Sequence, residues 1–311
     1  MDNDTEQQLS QIAAAFFCNN YDYLFLRTML EMCAAAPAGS TLITGSSHAL
    51  NGIQESAWTH AINCSMHSQD IYYDFQCAKR AILAAENRHF ERCFIIMGYY
   101  IAYQDLSRSK VSRETVISNV YYPIFQDAHN WECPAHKDLW AGIGDIPDSI
   151  KTVCEQAAVA KLLEYGTYYS EIRPRGQLFD LQGRTWAEAS EAERLAMGQA
   201  RAKDHNSVFQ HKASFEENKT ILCEFIRFLY GHDVQPIVVI TPFTKEYNRF
   251  ILSEMKAGVL ELINAVPEDV NYVDFNQALE LFDTTDFMDT DHLSATGAEK
   301  VSRILAEMFG M

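Results

Sequence analysis

At 311 residues and 48% hydrophobic, the chain is long enough to bury a large core in one elaborated domain or two small ones. Its formal net charge of -17 argues against a nucleic-acid partner, because phosphate binding needs a basic footprint, and the 25 Lys and Arg are scattered; a neutral or cationic partner fits the charge better. The longest apolar run, CFIIMGYYIAY at 93–103, is too short and tyrosine-rich to span a bilayer, and MDNDTEQQLS carries no basic-then-apolar signal pattern, so the expectation is a soluble, cytoplasmic protein.

The stretch up to Pro37 reads as helix with a break at NNYD. TLITG at 41–45 is the first strand, and GSSHALNG after it reads as a tight turn opening a helix near His48. AINCS at 61–65 and CFIIMG at 93–98 are the next strands, separated by an amphipathic helix in QDIYYDFQCAKRAILAAENR. After residue 211 come a helix in SFEENKTILCEFIRFLYG with Gly231 as its C-cap, a strand PIVVIT at 236–241, a helix in EYNRFILSEMKAGVLELINA, and a strand NYVDF at 271–275. The final helix carries Val301, Ile304, Leu305 and Met308 as an apolar stripe, with Thr296 and Glu299 as a capping box.

Strands alternating with helices point to a five-stranded parallel sheet covered on both faces. Residues 105–211 separate the third and fourth strands by far more than an ordinary crossover and read as a mainly helical insertion over the active-site edge. It holds helix-like DSIKTVCEQAAVAKLLEYG and TWAEASEAERLAMGQARAK and three tryptophans, Trp131, Trp140 and Trp186, which read as packing or as sugar-stacking faces. The sheet domain is then 1–104 with 212–311.

Eight cysteines without paired spacing suit a reducing compartment. HNWECPAH places His129, Cys133 and His136 together, but no second ligand pair follows, so no metal is expected. Nor is there a Gly-x-Gly-x-x-Gly or Walker-type loop, and no nucleotide cofactor is expected.

In a doubly wound sheet, ligands bind at the carboxyl edge of the strands. Ser47 lies there, after a glycine that permits a tight turn, as a nucleophile or simply as a turn residue. A serine nucleophile needs a base and a group that fixes the base's tautomer. FMDTDHLSATG offers both: His292 in a loop held between the last strand and the last helix, with Asp289 three residues earlier. Asp291 either competes for that orienting role or solvates the loop. His48, Thr241, Pro242, Lys245, Asp105 and Arg108 stand near the same edge and are pocket candidates, and Arg173 with Arg175 is a possible anion contact or a solvated turn.

Gly45-Ser46-Ser47 near the beginning and Asp289-Thr290-Asp291-His292 before a last helix resemble the SGNH, or GDSL-like, superfamily of serine esterases and acyltransferases. The resemblance covers about 38–104 and 215–311. It implies a three-layer α/β/α, flavodoxin-like fold and acyl transfer through Ser47, His292 and Asp289. Gly-Ser-Ser in place of Gly-Asp-Ser, and INCSMHSQDIYYD, are similar to the branch that moves acyl groups in teichoic acid D-alanylation and alginate acetylation. A carbohydrate O-acyl substrate follows from that resemblance alone.

Two departures stand out. The second block lacks its oxyanion-hole glycine, leaving backbone N–H groups at Ser65 or Ser68; the third lacks its asparagine, leaving Gly98 followed by Tyr99 and Tyr100, with a tyrosine hydroxyl as the available replacement. The alternative implied by those losses is an SGNH-fold binding or scaffold protein in polysaccharide or glycolipid synthesis. Oligomeric state is not legible in the sequence.

Overall fold

The computed structural model describes residues 20–85, 90–132 and 181–311, together with Gln7 and Gln11. The chain folds as two compact units, residues 30–105 with 177–311 and residues 1–29 with 106–176, so that the 105–211 segment is divided between them.

The larger unit contains the sheet. The strands are β1 (Ser40–Gly45), β2 (Ala61–Asn63), β3 (Phe90–Met97), β4 (Gln235–Ile240) and β5 (Asn271–Asp274), close to the stretches expected from the sequence, with the central three the most apolar and β5, NYVD, at the edge only partly buried. All pair in parallel in the order β2-β1-β3-β4-β5. Ile43 sits beside Phe94, and Ile96 lies between Gly45 and Val239. Alternation sends Ile43, Phe94, Ile96, Ile237 and Val239 to one face and Leu42, Cys93, Ile95, Val238 and Ile240 to the other, and all ten are fully buried. Parallel strands covered on both faces are apolar at consecutive positions for this reason.

The helices in chain order are α1 (Tyr21–Ala34), α2 (Ser47–Gly52), α3 (Ile71–Ala84), α4 (Glu191–Asn206), α5 (Lys212–Gly231), α6 (Ser253–Asn264) and α7 (Ala295–Phe309). Helices α2 and α7 pack together on one face of the sheet, and α3, α5 and α6 form the opposite layer. The result is the three-layer α/β/α fold read from the sequence.

Several boundaries differ from the sequence reading. The segment expected as one helix over 246–265 is a single turn, Lys245–Asn248, and then α6, with Asn206 Oδ1 accepting from Leu252 N at 3.0 Å in the gap. Ser294, not Thr296, caps α7, its Oγ accepting from Gly297 N at 3.3 Å. The α7 stripe buries Val301 and Leu305, each contributing about 1.5–3 kcal/mol by burial, whereas Met308 is exposed. Gly231 is the last residue of α5 and His232 its cap. Of the two helices expected between 105 and 211, one is α4 and DSIKTVCEQAAVAKLLEYG lies outside the described residues.

In the smaller unit, Lys110–Ser112, Arg113–Tyr121 and Tyr122–Phe125 run on as one helical segment whose middle is π-helical. Asn20 Nδ2 donates to its Asn119 carbonyl at 2.6 Å. No helix among the described residues is long and apolar enough to cross a membrane.

Candidate active site

In the strand order 2-1-3-4-5, crossovers leave in opposite directions from β1 and β3, and the crevice at their carboxyl ends is the favoured ligand position. β1 ends at Gly45 with φ +145°; a Cβ there would collide with the Ile96 carbonyl and approach Ala49 Cβ to 2.9 Å. Only glycine passes β1 into α2 at this close approach. Ser46 caps α2, its Oγ facing His48 N at 3.5 Å, and Ser47 is the first helical residue. The Ser47 N–H therefore has no intrahelical acceptor, and among the described residues it makes no other hydrogen bond.

The loop carrying Asp289 and His292 is held from three sides. Phe287 and Leu293 form an antiparallel bridge, and Met288 N donates to His292 O at 3.0 Å. Thr244, after β4, donates to the Thr290 carbonyl through N at 3.1 Å and Oγ1 at 2.7 Å. Asp289 Oδ1 accepts from Asp291 N at 3.0 Å and His292 N at 2.9 Å, the local turn that an aspartate favours.

That turn brings the Asp289 carboxylate to 3.0 and 3.1 Å from His292 Nδ1, while His292 Nε2 is 2.8 Å from Ser47 Oγ. With Nδ1–H donating to Asp289, Nε2 is left to accept the Ser47 hydroxyl proton. All three side chains are buried. Burial of His292 works against its protonation, but the Asp289 and Asp291 carboxylates outweigh that and hold its pKa above the ordinary 6.5. The three groups form the hydrogen-bonded series that serine hydrolases use.

Asp291 faces a second group of partners that the sequence reading missed. Arg201 Nε donates to its two oxygens at 3.1 and 3.2 Å, and Thr290 Oγ1 donates at 2.7 Å. His48 Nε2 and His205 Nε2 each lie 4.0 Å from Asp291 Oδ2. Burial disfavours its charge, yet His292, Arg201 and the other two histidines hold its pKa below the carboxylate range. Arg201 and His205 come from α4, whose one face carries Gly198, Arg201, Ala202 and His205 at helical spacing. Gly198 lets α4 approach the Glu246 backbone, where a Cβ would come within 2.7 Å. An arginine and a histidine four apart on a stripe of small residues was the signal available in GQARAKDH.

Each sequence candidate has a definite place. His48 stacks on His292 with ring centres 5.1 Å apart, and neither of its ring nitrogens has a hydrogen-bond partner. Burial, then the neighbouring His292, pushes its pKa down to about 3, so it is neutral near pH 7. Tyr100 stacks on His205 at 3.7 Å, and its hydroxyl lies near the Ser46 side chain; burial pushes its pKa up to about 12. Gly98 makes room for both, since a Cβ would come to 2.8 Å from Tyr100 and 3.0 Å from His48.

Ser65 is fully buried, and its N–H donates to Asn63 Oδ1 at 3.1 Å, as does its hydroxyl, so that N–H is already committed. Ser68, at φ +62°, accepts from Gln104 through its carbonyl at 3.2 Å. The Thr241 carbonyl accepts from Asn276 at 2.9 Å, and its methyl faces Gly52. Pro242 is buried and Lys245 is exposed at the start of the helical turn after β4. Asp105 belongs to the sheet-bearing unit and Arg108 to the other. Trp186 packs in the core with Phe94 and Val301. Trp140, Cys133, His136, Arg173 and Arg175 lie outside the described residues.

His48, Asp291 and His292 are close enough to be considered as metal ligands. The hydrogen bonds oppose this: His292 Nδ1 is committed to Asp289 and Nε2 to Ser47, and its ring is stacked on His48 at 23°, an arrangement in which in-plane lone pairs do not converge. A cation there would displace one of the two bonds that define the series.

No protein-family model matches the chain, and no curated protein matches it.

Proposed function

We propose that the protein is an SGNH-type serine esterase or acyltransferase acting on O-acyl groups, with carbohydrate esters as the substrate class. One observation carries this reading: the unbroken series from Asp289 through His292 to Ser47 at 3.0 and 2.8 Å, at the carboxyl edge of the sheet. In the proposed reaction Ser47 Oγ attacks the acyl carbonyl, and His292 Nε2 takes its proton. Asp289 stabilises the imidazolium formed. His292 then returns the proton to the leaving alcohol, and water or a second hydroxyl releases the acyl group from Ser47.

The Ser47 N–H is the uncommitted donor for the oxyanion. With the Ser65 N–H tied to Asn63, an oxyanion site one donor short would be slower by about 10²–10³. That favours an enzyme of modest turnover over a fast general esterase. The carbohydrate preference, the Gly-Ser-Ser branch and a cytoplasmic site of action rest on the sequence resemblance and on composition.

The test is mass spectrometry of the intact chain during turnover of an acetylated monosaccharide, with and without an added sugar acceptor. A transient gain of one acetyl group, mapped to Ser47, is the expected result. Transfer to the acceptor distinguishes an acyltransferase from an esterase. Turnover without any acyl-enzyme, or an acyl group on another side chain, would refute the mechanism.

A further inference from the structure

Arg201 has only part of its hydrogen-bonding capacity in use. Its Nε donates to Asp291, but among the described residues neither terminal amino group of the guanidinium makes a hydrogen bond. The side chain retains 21% exposure while Asp291 beneath it has none, so the guanidinium bridges a buried carboxylate and an accessible edge. One carboxylate separates it from the base: Asp291 Oδ1 is 4.0 Å from His292 Nδ1. Arg201 and the neighbouring His48 and His292 are close enough for its charge to oppose protonation of both imidazoles.

Resting on the serine-ester reading above, we propose that Arg201 binds an anionic group of the substrate, a carboxylate or a phosphate, beside the ester carried to Ser47. The planar guanidinium suits this division of labour, because Nε can hold one partner while the two terminal amino groups form a fork for a second oxyanion. Asp291 fixes the fork's direction. His48 and His205, neutral because burial lowers their pKa, add no competing cation. The net charge of -17 does not oppose the assignment: it sets the far field, which salt screens beyond about 8–10 Å, whereas affinity inside the crevice is set by the nearest groups.

The full chain would be assayed for acetate release from acetylated glucose, acetylated glucuronate and acetylated glucose 6-phosphate. The wild type is expected to turn over at least one anionic ester with kcat/KM about tenfold or more above the neutral one, mainly through KM and less so at high salt. Preference for the glucuronate ester or the phosphate ester identifies the source of the anion. In Arg201→Lys the ammonium still pairs with Asp291 but offers no fork, and the ratio is expected to fall to about one. Arg201→Gln should do the same.

A wild-type ratio near one for both anions, or an unaltered ratio in Arg201→Lys, would overturn the proposal. Ligand-induced shifts of the thermal midpoint with glucuronate, glucose 6-phosphate or glucose separate this inference from the chemistry. A shift by an anionic sugar alone, abolished in Arg201→Lys, supports the anion site even if Ser47 never becomes acylated. No selective shift rejects it even if Ser47 does.

Discussion

Asp289 and Asp291 stand two residues apart in one buried loop and do different work. Asp289 is spent locally, on two backbone N–H groups of its own turn and on His292 Nδ1. Asp291 is spent at long range, on Arg201 ninety residues earlier in the chain. The first geometry fixes the tautomer of an imidazole; the second pairs a buried carboxylate with a part-exposed guanidinium and directs it. Identical side chains differ here because the loop presents one carboxylate to its own backbone and the other to α4.

Substitutions test that contrast. The largest effect belongs to the group both sides serve: Ser47→Ala should lower kcat by about 10⁴–10⁶ while leaving the thermal midpoint almost unchanged. Next is Asp289→Asn, which keeps the shape but lets His292 adopt the wrong tautomer and should cost about 10⁴ in kcat. Asp291→Asn should cost much less in turnover and more in stability, about 3 kcal/mol in urea unfolding, because Arg201 loses its counter-charge. Equal losses of kcat for the two asparagine variants, with unchanged stability, would dissolve the distinction.

The titrations give effects of opposite sign. His292 must be neutral to accept a proton, and its pKa is raised, so kcat/KM should fall on acidification with a midpoint above pH 6.5. A rate flat between pH 5 and 8 contradicts its role as base. For stability, a raised histidine contributes below pH 6.5 and loses that contribution as pH rises through its folded pKa. His48 behaves in reverse. With a folded pKa near 3, its contribution is present above pH 6.5 and lost as pH falls from there toward 3, by up to about 1.4 kcal/mol per pH unit. His48→Asn should flatten the acid side of the stability profile by that slope.

The strands were legible because parallel strands buried on both faces must be apolar at consecutive positions, and TLITG, CFIIMG and PIVVIT are so apart from the buried threonines Thr41, Thr44 and Thr241. Ser47, Asp289 and His292 were legible because each lies in a short segment with its own local logic: a turn after a strand, or a loop before a capped helix. The positions that escaped depend on contacts between distant segments. Nothing near Asp291 announces Arg201, and nothing near Ser65 announces that Asn63 takes its N–H. The break before α6 is equally non-local, since Asn206 at the end of α4 holds the Leu252 N–H that a continuous helix would have used. Ser294 rather than Thr296 capping α7 is a shift of two residues, which local propensity alone does not resolve because both side chains accept the same kind of bond.

The proposed chemistry requires Ser47 to be an activated nucleophile. Fluorophosphonate labelling of the full chain, followed by peptide mapping, tests it most directly. A single adduct on Ser47, absent from Ser47→Ala and strongly slowed in His292→Ala, is the result expected. A folded wild-type protein that stays unlabelled under conditions that label other serine esterases would contradict it.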